Sequence, residues 1–473
     1  MKRIIIFAAL AAFALTSCQQ EITFEENKSD GLVFTATTEI PSTKTALDAS
    51  LKVVWQVGDE ITIMGGSNIG TYTTATGGDT KATFTRHSGS EATTSPYKAW
   101  YPTTLYNNVT LVLPASQTYT AGNIAGNPMY AESETANLSF KNLCGIIKLN
   151  ISTTQTGKKV RKIVLSADQG MSGEISNVST LGTNPTAAVS GTAGVTLDCG
   201  TEGVEIGSTA IPFYIAVPAN TYSNLKIMVI TADDEFQTRT AKSDIVVGRS
   251  SITDITLGFN NLSAISNLVH YWPFNGNTND AVPSGAINGT FLYDGDTHDA
   301  TLTEDRHGNA NSAYSFDGYN IISIGHAGDF GTSSFTANMW ICTTATTYFN
   351  TLIRTEGSSG GNGWFIRFKD SDIEIWASGN QYISNTKIND GIWHMITFVH
   401  DTNNKVGQLY VDGVYKGGYT MSSVPNVSSD GVHTHVLGSG THYRHCVYDG
   451  KMDEVRLYNK ALTAEEVAAL YQY

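Results

Sequence analysis

The sequence predicts an all-β protein built from two large domains, and three observations carry that expectation. The chain has 473 residues and 45 Gly, with Thr, Ser and Asn frequent, a composition of strands joined by tight turns. Apolar and polar residues alternate in short runs bounded by Gly, Asn, Asp or Pro, which is the period of half-buried strands. Stretches of helical period are almost absent, so parallel βαβ units, which need a helix between strands, are excluded. All-β domains often reach roughly 200–250 residues, so the length fits two of them.

The chain opens with Lys2 and Arg3 and then an unbroken apolar run from Ile4 to Leu15. About twenty apolar residues are needed to span a bilayer, so this run reads as a secretory leader covering residues 1–17. Leu15-Thr16-Ser17-Cys18 resembles the lipobox of bacterial lipoproteins. The resemblance implies that the leader is removed and that Cys18 is lipidated. Several acyl chains on one cysteine anchor stably, at about 0.8 kcal/mol per buried methylene. Residues 18–30 carry Glu21, Glu25, Glu26 and Asp30, the composition of a solvated tether. Acidic residues there also resemble the surface-export signals of some gram-negative lipoproteins. Together these features imply an outer-membrane, surface-exposed location.

Net charge is −14 with no basic cluster, which argues against nucleic acid as a partner and is compatible with a neutral ligand such as a sugar. Besides Cys18 the chain has Cys144, Cys199, Cys342 and Cys446, with no spacing of a zinc site. The compartment permits disulfides, and pairing among the four stays open. Cys144 lies in the apolar stretch Phe140 to Leu149 and reads as a buried thiol.

Residues 31–260 form the first expected domain. Phe34 lies in a first short strand. Leu51, Val53, Trp55 and Val57 alternate, Gly58-Asp59 turns, and Ile61 and Ile63 resume, so the stretch 51–64 predicts a hairpin. Further strands are expected at 109–113, 143–152, 160–166, 212–217, 224–231 and 253–259, packed as a β-sandwich. Phe34-Thr35-Ala36, Thr43-Lys44-Thr45, Val54 to Ile61, Leu113 to Tyr119, Asn127 to Ala131, Phe140 to Gly145 and Ala216 to Tyr222 resemble fimbrillin-like lipoproteins. The resemblance covers about 220 residues. It implies a transthyretin-like β-sandwich pair and a role in pili or related adhesive structures. In family pilins a protease removes the first strand after Arg or Lys, and another subunit's strand fills the groove. Lys44 is the matching processing candidate, with a solvated surface lysine as the plain alternative.

Residues 260–266 read as a polar bridge, and 267–473 as the second domain. Strands are expected around Tyr271-Trp272, Tyr314 to Phe316, Phe335 to Cys342, Gly363 to Phe368 and Trp393 to Val399. Asp412-Gly413 between alternating runs is a two-residue hairpin signal. A short C-terminal helix near 463–471 starts at Thr463 with Glu466 three residues on, a capping box. Tyr271 to Gly276, Phe316-Asp317-Gly318, Trp393-His394, Leu409 to Gly413, and Met452 to Asn459 resemble laminin-G-like, concanavalin A-like jelly rolls of bacterial surface proteins. That resemblance implies a two-sheet sandwich, often with a structural calcium and a carbohydrate or matrix ligand. Asn277, Asp280 and Asp453 are the calcium candidates it supplies. Calcium takes six to eight oxygens, which loop carboxylates and carbonyls provide.

Three other constellations remain. Asp370, Asp372 and Glu374 alternate, and paired carboxylates serve glycoside hydrolysis, but the run Lys369 to Asp372 reads better as a hairpin turn. His433, His435, His442 and His445 cluster beside Cys446, in a pattern metals use or simply a polar loop. Trp376, Tyr382 and Tyr443 are aromatic candidates for stacking on sugar rings, with Trp376 in the core as the competing reading. The expectation is a non-enzymatic surface adhesin, fimbria-associated, that binds glycan or a host or matrix glycoprotein. The alternatives are a structural pilus subunit whose second domain is a spacer or cap, and a glycan-degrading enzyme.

Overall fold

A computed structural model describes residues 31–39, 42–43, 54–103, 106–107, 110–122, 127–176, 188–189, 194–292, 299–346, 349–355, 362–429, 431, 434–438 and 448–473. Cys18, Lys44, Tyr443, His433, His442 and His445 lie outside the described residues. Among the described residues the fold is nearly all β with one short helix, as the composition predicts. No helix among the described residues is long and apolar enough to cross a membrane.

The first half holds two main cores. An eight-stranded sheet runs Asn137–Ser139, Phe34–Thr37, Lys81–Gly89, Asn68–Thr73, Glu60–Gly65, Tyr97–Tyr101, Met129–Ser133, Lys141–Asn142. It wraps a core of Phe34, Ile61, Ile63, Tyr72, Phe84, Leu138 and Phe140. The expected 51–64 hairpin is corrected here. Glu60–Gly65 pairs with the following strand, Asn68–Thr73, across a turn at Gly66, whose φ of 64° suits glycine. Leu51 to Val53 lie outside the described residues, and Val54 to Asp59 is irregular, with Trp55 pairing its backbone to Gly78 and Asp79 and burying its ring in the core, where Nε1–H donates to the Ala36 carbonyl at 3.1 Å.

The second core lies between two further sheets, as in a sandwich. One contains Ile211–Pro218, Cys144–Ser152 and Ser251–Gly258; the other contains Glu235–Thr240, Lys226–Thr231, Lys158–Ser166 and Val195–Asp198. Ile147, Leu149, Ile163, Leu165, Phe213, Ile215 and Val229 fill the gap. Cys144 is a buried free thiol, pushed up in pKa by burial. Ser263–Ala264, inside the expected bridge, adds a strand to the edge of this second sheet.

The second half is a jelly roll. One sheet runs Thr301–Thr303, Ala313–Asp317, Asp449–Tyr458, Phe335–Cys342, Trp393–Asp401, Val406–Val411, Val414–Thr420, with Leu268–Trp272 also on Asp449–Tyr458. The other runs Thr290–Phe291, Ile322–Ser323, His435–Leu437, Phe349–Thr355, Trp364–Lys369, Asp372–Ala377, Asn380–Lys387. Between them lie Trp272, Phe316, Phe335, Trp364, Ile366, Phe398 and other buried apolar residues. The Asp412-Gly413 turn joins its two strands as expected, with φ of 52° and 76°.

The helix Ala464–Tyr471 starts with the expected capping box: Thr463 accepts from the Glu466 N–H, and Glu466 accepts from the Thr463 N–H. Its Val467 and Leu470 pack on the outer face of the first jelly-roll sheet, against Trp340, Met395, Val399 and Tyr410. Its Ala469 meets Met228 and Ile230 of the first half. Lys162 donates to the Gln472 carbonyl at 2.6 Å and Tyr473 to that of Asp234 at 2.6 Å. The helix therefore lies between the two halves and covers one outer face of the jelly roll.

Candidate ligand-binding site

The other outer face of the jelly roll is built by strict alternation. In Trp364–Lys369, the residues Trp364, Ile366 and Phe368 point into the core, so Phe365, Arg367 and Lys369 point out. In Asp372–Ala377, Ile373, Ile375 and Ala377 point in, leaving Asp372, Glu374 and Trp376 outside. Cross-strand register places Arg354 beside Phe365, Phe365 beside Trp376, and Trp376 beside Gln381. The next row places Arg367 beside Glu374.

These side chains form a platform. The Phe365 and Trp376 rings stack with centroids 5.2 Å apart and planes 6° from parallel. The Arg367 guanidinium stands over the Phe365 ring at 4.4 Å. Arg367 Nε donates to Glu374 Oε2 at 2.5 Å, and Gln381 Nε2 donates to Oε1 at 2.5 Å. Glu374 is nearly fully buried, so these two charge-assisted bonds are what its carboxylate has in place of water. Trp376 and Phe365 stay half-buried, a stacked apolar pair bordered by the Arg367 guanidinium and the Gln381 amide. That is an arrangement on which a sugar ring can stack while its hydroxyls find donors and acceptors.

Of the residues expected to bind ligand, Trp376 stands on this platform, while Tyr443 lies outside the described residues. Tyr382 is turned inward: it packs on the core and donates to the Lys416 carbonyl at 2.7 Å, closing the seam between the two sheets. A Cβ at Gly417 would lie 2.1 Å from its hydroxyl, so glycine is what admits the ring. This corrects the reading of Tyr382 as a ligand contact. Asp370 and Ser371 form the expected turn, both at positive φ, while Asp372 and Glu374 belong to the strand after it. Phe365, Arg367, Arg354 and Gln381 were missed. The available signal was an aromatic and two cations on the polar phase of the Trp364–Lys369 alternation.

Two of the three calcium candidates, Asp280 and Asn277, spend their side chains on protein partners. Asp280 accepts from His270 Nδ1 at 2.7 Å and from the N–H groups of Tyr271, Val282 and Ile287 at 3.0 Å each, which uses its lone pairs. Burial works against the charged form, but these bonds outweigh it and hold the carboxyl below its usual range. Asn277 spends its side chain on Asn275 and Asn279, stabilising a turn. Asp453 is buried, with Arg306 Nη1 3.4 Å from Oδ2 and no hydrogen-bond partner for Oδ1 among the described residues. Burial, reinforced by Glu454, pushes the Asp453 carboxyl up to about 8 against the pull of Arg306. Among the described residues no group of three or more His, Cys, Asp or Glu is placed to hold a metal ion. His435, the one described member of the histidine cluster, is buried in the core beside Trp364.

Residues 316–468 match a family model described as the concanavalin A-like lectin/glucanases superfamily. No curated protein matches the chain. Among solved structures, domain 4 of AbnA, a GH43 extracellular arabinanase from Geobacillus stearothermophilus in complex with arabinotriose, is similar at 21% identity. It covers 44% of this chain and 98% of its own, with a TM-score of 0.36. The botulinum neurotoxin serotype G binding domain is similar at 17% identity, covering 44% of this chain and 51% of its own, with a TM-score of 0.33. The binding domain of Paraclostridial Mosquitocidal Protein 1 stands at 16% identity, 43% and 52% coverage, and a TM-score of 0.31.

Proposed function

We propose that this protein is a cell-surface adhesin whose jelly roll binds glycan on the Phe365–Trp376 platform. The observation that carries the reading is the stacked aromatic pair with its Arg367–Glu374–Gln381 rim, on the sheet face that the C-terminal helix leaves uncovered. The lectin-like family match over residues 316–468 supports it. The site is read as binding rather than hydrolysing. Hydrolysis with retention needs two carboxyl groups about 5–5.5 Å apart and free to act. Glu374 is instead held by Arg367 and Gln381, Asp370 lies in the turn, and Asp372 stands opposite Lys369 and Lys387.

Lipid anchorage at Cys18 in the outer membrane and association with fimbriae belong to the same proposal. They rest on the lipobox-like start and the fimbrillin-like motifs of the first half. Phe34–Thr37 is an internal strand, flanked by Lys81–Gly89 and Asn137–Ser139. Cleavage after Lys44 would remove it and open an apolar groove that another subunit's strand could fill. The decisive experiment is a glycan-array screen of the purified full chain and of Trp376→Ala. The variant, assayed well below its melting midpoint, is expected to lose about tenfold or more in affinity, the scale of the roughly 1–3 kcal/mol that stacking of a nucleic-acid base on an aromatic contributes. Absence of any glycan binding by the unmodified chain refutes the reading and leaves the jelly roll as a spacer.

A further inference from the structure

The platform face differs in charge from the molecule that carries it. The chain as a whole has a net charge of −14. On this sheet face, alternation and register bring out Arg354, Arg367, Lys369 and Lys387 against the two carboxylates Asp372 and Glu374. Among these described strand residues, cations outnumber carboxylates by two, with Asp370 in the adjoining turn. Glu374 is neutralised by Arg367, so the surplus lies elsewhere. Lys369 and Lys387 both stand opposite Asp372, near the turn. Arg354 stands opposite Phe365 in the same row as Trp376. Among the described residues it has no ion pair and no hydrogen bond to its guanidinium, and it is half-buried.

A half-buried, unpaired guanidinium beside stacked rings gives up hydration without a protein partner to replace it. An uncharged sugar would not repair that loss; an anion would. Guanidinium presents a planar fork of donors that matches carboxylate or sulfate oxygens bidentately. The negative charge of the remaining molecule repels such an anion at long range, but salt screens that repulsion beyond about 8 Å at physiological ionic strength. Contact at the platform is then governed by the local positive surplus.

We infer that the saccharide bound on this face is anionic, with a carboxylate or sulfate engaged by Arg354 while a ring packs on the Phe365–Trp376 pair. The inference rests on the glycan-binding reading above and adds the chemical class of the ligand. The test titrates the full chain with three oligosaccharides of matched length: an uncharged cello-oligosaccharide, an oligogalacturonate and a heparin oligosaccharide. At least one anionic probe is expected to bind about tenfold more tightly than the uncharged one, the usual scale of a charge-assisted pair, and to weaken as salt is raised. Binding of the oligogalacturonate identifies carboxylate as the group; binding of heparin alone identifies sulfate. Arg354→Met keeps the apolar stem and is expected to lose that preference with the melting midpoint unchanged. Equal binding of all three probes, or an unaffected Arg354→Met, overturns this inference; loss of binding in Trp376→Ala would then still uphold the platform. If no probe and no arrayed glycan binds, the platform reading itself fails and this inference with it.

Discussion

Acidification should destabilise the jelly roll through two histidines in its core, His400 from one sheet and His435 from the other. Both are fully buried. His400 stacks on Phe335 at 5.1 Å, Phe335 meets Trp364 at 4.8 Å, and Trp364 meets His435 at 5.9 Å, so the two belong to one aromatic cluster. A Cβ on Gly328 would sit 2.4 Å from the His435 ring, so glycine is what admits the ring against that backbone. Burial drives both histidines down to about 4; Asp401 beside His400 opposes it without prevailing, as does Asp329, 4.0 Å from His435, where His326 adds repulsion. The unfolded chain titrates near the ordinary value of about 6.5, so between there and about 4 it binds more protons than the folded one. The contribution of the two histidines therefore falls as pH drops through that window, while Asp453, whose carboxyl burial pushes up to about 8, works in the opposite direction and cancels between the two proteins compared. From pH 7.5 to pH 5 the linkage relation gives a loss of about 2 kcal/mol per histidine, roughly 4 kcal/mol for the pair. The measurement is urea unfolding of the full chain by tryptophan fluorescence at both pH values; five of the seven tryptophans lie in the second half. The double variant His400→Leu/His435→Leu should lose far less stability on acidification, whatever its level at pH 7.5. His394 works in the opposite direction, because the bond to Asp412 at 2.7 Å raises it despite burial, with Asp390 adding to the effect. Its contribution is present below the unfolded pKa and fades as pH rises through the folded one, and it cancels between the two proteins. An equal loss in both proteins would refute the reasoning.

Two further outcomes are expected. Leu470→Ala removes a fully buried side chain under Trp340 and Tyr410 and should cost about 2–5 kcal/mol; differential scanning calorimetry of the full chain should show a lowered jelly-roll transition, and an unchanged one would mean that the helix is not docked as described. Labelling cells with a fatty-acid analogue should tag the unmodified protein and leave Cys18→Ala untagged, and equal labelling would end the lipoprotein proposal.

Much of the fold was legible because β structure writes itself locally. The runs at Cys144–Ser152, Lys158–Ser166 and Ile211–Pro218 alternate or stay apolar over whole strands, and Asp412-Gly413 carries its own turn chemistry. The capping box of the last helix likewise needs only residues three apart. The 51–64 hairpin failed because alternation cannot distinguish a strand from a loop whose tryptophan is claimed by a distant core, as Trp55 is by Ala36 and Phe84.

The sequence by itself determined an all-β chain, since short alternating runs bounded by turn residues leave little freedom, and its resemblance to jelly rolls supplied the architecture of the second half. Tertiary structure alone decided which outward phase stays open. One jelly-roll face is taken by the helix Ala464–Tyr471 and its contact with Met228 and Ile230, and that contact joins residues more than two hundred positions apart. Tertiary structure also decided that Tyr382 closes a seam while Trp376 stacks on Phe365, and that Asp280 serves four protein donors instead of an ion. In each case the deciding partner sits on another strand or loop, and the register that brings the two together is set by packing of the whole sheet, which no local pattern encodes.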